Sequence, residues 1–91
     1  MVIGRFKYEN SFNAAGKGLI VIGQVVSGMV RPGSYLRFKE DDAYKDAEII
    51  RVEHGNRNDY AFVGLPLAPI ANDYFDSENE ELVGKVFDII E

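Results

Sequence analysis

Three groups of residues have types that could do chemistry: the Gly16-Lys17-Gly18 turn, His54 with Asp59, and the acids between Asp73 and Glu81. A phosphate-binding P-loop needs Gly-x-x-x-x-Gly-Lys-(Ser/Thr), whose backbone amides cradle phosphates and whose hydroxyl meets magnesium. Around Gly16-Lys17 the leading position is Ser11 and the trailing one Gly18, so no nucleotide site is expected. His54 is the only histidine and there is no cysteine, whereas zinc normally takes three or four such ligands. A triad built on His54 and Asp59 lacks a nucleophile elbow. Asp73, Asp76, Glu78, Glu80 and Glu81 lack the central glycine of a calcium loop and suit a solvated helix start better. The residues predict no enzyme, no catalytic residue, no metal and no cofactor.

Tyrosine supports binding as readily as chemistry, since its ring is apolar and its hydroxyl polar. Tyr8 alternates with apolar neighbours and is expected in the core. Tyr44 and Tyr74 are flanked by acids and are the candidates for a protein interface. Their acidic flanks predict a partner with a basic surface.

The elements that must position these residues read as short strands. Val2–Tyr8 alternates, with Val2, Gly4, Phe6 and Tyr8 on one face. Residues 10–16 read as a loop, and Leu19–Val26 as a β-branched strand buried on both faces. Val30-Arg31-Pro32-Gly33 suits a type II turn. Strands are expected at Ser34–Lys39, Ala47–Glu53, Tyr60–Leu67 and Lys85–Ile90, with an acidic hairpin tip at Glu40–Asp46 and a turn at His54–Asp59. Asp76–Gly84 reads as one helical turn, with Ser77 and Glu80 at capping-box spacing. The pattern predicts an all-β fold: one small antiparallel β-barrel of six to seven strands, with one short helical turn near the C-terminus.

A chain of 91 residues makes one domain, here spanning residues 1–91, and 46% hydrophobic residues suffice for a modest core. The net charge of −5 is unevenly placed. Residues 1–38 hold five basic residues against one acidic, +4, and the remainder five against fourteen, −9. An acidic whole repels phosphate backbones, although a local basic face on the first half is compatible with the count. The absence of cysteine fits a reducing cytoplasm. No run has the length or apolarity of a signal peptide or membrane span, so a cytoplasmic protein without membrane contact is expected.

The stretch Gly16–Gly33 carries a resemblance. Gly16, Gly18, Val21, Gly23, Val25, Gly28, Val30 and Gly33, with Ile20 for a valine, match a glycine-rich pattern. It is similar to the second, β-barrel domain of the translational GTPases, most nearly those of the elongation-factor Tu family. Val52-Glu53, Val63-Gly64-Leu65 and the acidic turn ending in Gly84 follow in family order. The resemblance implies a stand-alone barrel that does no chemistry, detached from any GTPase domain. It also implies a residual pocket for an aminoacylated RNA end. In that pocket Glu9 would match the acid beside the terminal adenine, and Phe12 an aromatic near the amino acid. Lys17 would stand for an arginine, Glu53 for the acid at the ribose hydroxyl, and Arg57, with a one-residue gap, for a basic residue beyond it. Asn10, Leu19 and Phe62 replace an aspartate, a threonine and an asparagine of the pattern. A pocket losing polar groups binds a polar ligand weakly. The expectation is therefore a non-catalytic module binding a protein partner, with recognition of an RNA 3′ end as the alternative and RNA affinity weak.

Overall fold

The computed structural model describes residues 1–76 and 78–91 of the chain. Seven strands occur in order: β1 (Val2–Ala14), β2 (Gly18–Gly28), β3 (Tyr35–Glu40), β4 (Ala43–Glu48), β5 (Glu53–Arg57), β6 (Tyr60–Pro66) and β7 (Val86–Ile90). All pair antiparallel in one sheet, ordered β4-β3-β7-β1-β2-β6-β5. The fold is all-β.

The sheet curls until the ends of β4 and β6 touch. Ile49 and Leu67 form a single bridge there, flanked by Ala68 N donating to Glu48 O at 3.0 Å and Ile50 N to Pro66 O at 2.9 Å. One pinned point replaces the continuous ladder of a closed barrel, and β5 extends beyond it as the outer arm of a hairpin. Phe6, Tyr8, Leu36, Phe38, Ile49, Leu65, Phe75 and Ile89 fill the interior. Such burial of large apolar side chains is the main term holding the fold.

β1 runs through the residues expected to form a loop at 10–16. Its ladder with β2 slips between Tyr8 and Asn10, so Glu9 is an extra residue opposite the Gly23–Ile22 step. A bulge of this kind resets the alternation. Beyond it Ser11 points inward while Asn10 and Phe12 point out. The Tyr8 hydroxyl donates to Ser11 Oγ at 2.9 Å, and Ser11 donates on to the Phe75 carbonyl at 3.0 Å. That chain of bonds ties β1 to the loop after β6 and leaves neither buried hydroxyl unpaired.

Gly23 is where β1 crosses β2 most closely. A Cβ there would lie 1.9 Å from Lys7 O and 2.8 Å from the Phe6 ring. The turn expected at Val30–Gly33 starts one residue later, with Ser34 N donating to Arg31 O at 3.2 Å and Gly33 at φ 86°.

Three further expectations are corrected. The strand expected at Ala47–Glu53 is split, because β4 ends at Glu48 and the chain crosses the seam before β5 begins. His54–Asp59 is mostly strand, and its turn is confined to Asn58 and Asp59, at φ 51° and 65°. Asp41 and Asp42 make the matching tip between β3 and β4 at φ 53° and 62°. In the C-terminal region the helical turn spans Glu80–Leu82, where Asn79 Oδ1 accepts from Glu81 N at 3.2 Å. The proposed capping role of Ser77 lies outside the described residues. A second short turn, Pro69–Ala71, precedes it.

Candidate binding faces

Cross-strand partners share a sheet face, so the register assigns the outer surface. On the half made by β1, β2, β6 and β5, Asn10, Ile22, Gly64 and Glu53 form one row. Phe12, Ile20 and Pro66 form the next, and Tyr60 pairs with Arg57 at the far end. Phe62 lies over Gly55, where a Cβ would come within 2.2 Å of its ring. The result is an apolar floor with a polar rim.

Glu9, Asn10, Ile22, Arg57, Asn58, Tyr60 and Phe62 line a cavity of about 450 Å³ on this face. The bulge aims Glu9 toward the cavity, where it accepts a hydrogen bond from the Tyr60 hydroxyl. That bond, to an anion, raises the Tyr60 pKa above its ordinary value. Arg57 has no ion-pair partner among the described residues. Lys17 lies 3.6 Å from Glu53, whose same oxygen also meets Arg51 at 3.4 Å. Phe12 opens onto a separate cavity of about 200 Å³ with Ser11, Asn13, Leu19, Asn72, Phe75 and Asp76. Of the five residues named by the resemblance, Glu9 and Arg57 share one cavity and Lys17 and Glu53 hold each other. Phe12 stands apart. Tyr60 and Ile22 were not foreseen. Reading Asn58-Asp59 as a two-residue turn would have placed Tyr60 opposite Arg57.

The two tyrosines come together at the end of β3, β4 and β7 nearest the Asp41-Asp42 tip, Tyr44 on the outer face and Tyr74 against the core. Tyr44 lies opposite Lys39 and is 68% exposed. Lys39 Nζ sits 5.5 Å and Arg37 Cζ 5.9 Å from its ring centroid. Tyr74 is half-buried: it stacks on Phe38 at 4.7 Å and meets Phe75 and Phe87 edge-on at 4.9 and 6.1 Å. Burial raises the pKa of its hydroxyl. Both line one cavity of about 250 Å³, together with Arg37, Lys39, Lys85, Val86, Phe87 and Asp88.

Charges of both signs surround this pair, with Glu40 acting on Tyr74. In the sequence Tyr44 and Tyr74 sit among acids, but strand pairing sets Lys39 and Arg37 against Tyr44. Arg37 holds Asp46 through two bonds, Nε–Oδ1 at 2.7 Å and Nη2–Oδ2 at 2.9 Å, lowering the Asp46 pKa. Arg5 Nε lies 3.3 Å from Asp88. The cavity's one lining acid is therefore already paired, and Lys39 and Lys85 are left without ion-pair partners among the described residues.

Among the described residues no group of three or more His, Cys, Asp or Glu side chains could hold a metal. His54 lies exposed on the edge strand β5, and Ser11 and Ser34 are buried in hydrogen bonds. Among the same residues no helix is long and apolar enough to cross a membrane. Compared with family models, curated proteins and solved structures, the chain matches none.

Proposed function

We propose that this chain is a non-catalytic binding module that docks a protein partner at the cavity where the ends of β3, β4 and β7 meet Tyr74. One observation carries the reading: Tyr44 and Tyr74, distant in sequence, line a single cavity with an exposed aromatic edge and cationic walls. Rigid aromatic rings beside cations are the side chains that dominate protein interfaces. Tyr74 is fixed by its stack on Phe38, and a preorganised surface loses less entropy when it binds. The glycine pattern of Gly16–Gly33 supports a domain similar to the translational GTPase barrel, working in the cytoplasm without a nucleotide.

A second reading, recognition of an RNA 3′ end, is favoured by a different observation. Glu9 and Arg57 line the larger cavity, and Lys17 and Glu53 meet on the same outer half of the sheet. It ranks lower because Glu53 and Lys17 satisfy each other and Tyr60 occupies Glu9.

Site-specific photo-cross-linking separates the two. A benzophenone amino acid in place of Tyr44 should give a discrete protein adduct in the source cells. Excess wild-type domain should compete that adduct away, and excess Tyr44→Ala domain should not. Adducts to RNA at position 10, with none to protein at position 44, would reverse the ranking.

A further inference from the structure

Resting on the protein-partner reading, we infer that the segment docked between Tyr44 and Tyr74 is acidic, with an apolar or aromatic residue beside its carboxylates. Four observations lead there. One part of the cavity's lining is apolar, from Phe38, Tyr74, Val86 and Phe87, so it accepts an apolar group. Its volume, about 250 Å³, suits one or two side chains rather than a whole element. Its lining charges are Arg37, Lys39, Lys85 and Asp88. Arg37 is spent on Asp46 and Asp88 on Arg5, which leaves two ammonium groups to be neutralised by the occupant.

Lys39 is the clearer of the two. It lies opposite Tyr44 near the tip of the hairpin, with its ammonium near the ring face. A carboxylate arriving beside that ring bonds the ammonium without displacing another acid. Lys85 immediately precedes β7, and its backbone is locked by Tyr8 N donating to Lys85 O at 2.9 Å. Its position is thus set by the core. Two cations lining one slot complement two carboxylates flanking one apolar residue.

Charge distribution separates a peptide from a nucleic acid. Asp41, Asp42, Asp46 and Asp73 stand on the hairpin and the loop around the slot, within a chain of net charge −5. A phosphate backbone carries charge at every nucleotide and must run past those acids. A peptide places carboxylates at Lys39 and Lys85 and uncharged groups elsewhere. Complementarity of this local kind sets register and partner choice.

The test is selection from a displayed random-peptide library on the wild-type domain, followed by amide chemical-shift mapping of the winners. Enriched sequences should combine Asp or Glu with an aromatic or aliphatic residue and shift the amides of Lys39, Tyr44, Lys85 and Val86. Lys39→Gln with Lys85→Gln should weaken them about five- to tenfold, and raised salt should weaken the wild type likewise. Circular dichroism of the double variant confirms folding. Neutral or basic winners that map to the same slot and lose affinity in Tyr44→Ala would overturn the acidic segment while leaving the protein-partner reading standing. Winners that map elsewhere, no winners, or tighter binding of an oligouridylate at Lys39 and Lys85 would overturn both. Concentration-dependent dimers abolished by the lysine pair would name a second copy as occupant and equally refute a foreign segment.

Discussion

Single side chains decide where this sheet bends and which of its residues can meet a partner. Ser11 looks like a loop residue in the sequence, yet it receives the Tyr8 hydroxyl and donates to Phe75 O in the interior. Ser11→Ala should cost about 1–3 kcal/mol, because it strands the Tyr8 hydroxyl in the core. Adding Tyr8→Phe should recover part of that loss, which urea denaturation of the two variants measures. Gly23 was legible as a packing glycine from its place between Ile22 and Gln24, and the Lys7 carbonyl opposite supplies the reason. Gly23→Val should destabilise by about 1–3 kcal/mol, and an unchanged midpoint would remove the close crossing. The Glu9–Tyr60 bond makes a pH prediction. A raised phenol pKa means the contact contributes fully below the unfolded value of about 10 and is lost as pH rises through the folded value. Ultraviolet titration should show two late-ionising tyrosines, Tyr60 and Tyr74, of which only Tyr60 returns toward its ordinary pH in Glu9→Gln. Tyr74, an interface candidate on sequence grounds, also belongs to the aromatic stack, so only Tyr74→Phe probes its hydroxyl without loosening Phe38.

At the scale of elements, hairpins do the positioning. The tips Asp41-Asp42 and Asn58-Asp59 both take left-handed backbone at two successive residues, the conformation that matches strand twist in two-residue loops. Aspartate tolerates it at a cost that glycine avoids. Asp59→Gly should therefore stabilise the domain by about 0.5–1 kcal/mol, read as a shifted denaturation midpoint. It should leave the Tyr44 face untouched, since the β5–β6 hairpin lies on the opposite half of the sheet order. Strand alternation in Val2–Tyr8 was legible because that segment has one buried face. The rest of β1 was not, since the Glu9 bulge breaks the period of two just where polar residues begin. β5 hid for another reason: His54, Asn56 and Arg57 are exposed on an edge strand, and the interior imposes no apolar pattern on them.

Across the whole molecule the all-β composition was plain in the glycine spacing and short apolar runs, but closure was not. Whether seven strands zip shut or meet at one bridge depends on the seam between Ile49 and Leu67, where no repeated pattern marks the pairing. The charge count foresaw a basic first half and an acidic second. Hairpin pairing of β3 with β4 then sets Lys39 and Arg37 against Tyr44. A partner's complement must therefore be read from the folded face, not from neighbours in the chain. Two outer halves remain as rival binding surfaces, the Tyr44–Tyr74 slot and the Glu9–Arg57 cavity. One amide chemical-shift experiment on the isotope-labelled domain compares them directly, adding an acidic aromatic peptide to one sample and a CCA trinucleotide to another. Saturable shifts are expected at Lys39, Tyr44 and Lys85 with the peptide. Binding of the trinucleotide should be no better than about millimolar, equivalent to roughly −4 kcal/mol. Saturable micromolar shifts at Glu9, Lys17 and Glu53 with the trinucleotide, abolished by Glu53→Ala, and a silent Tyr44 face would contradict the protein-partner reading.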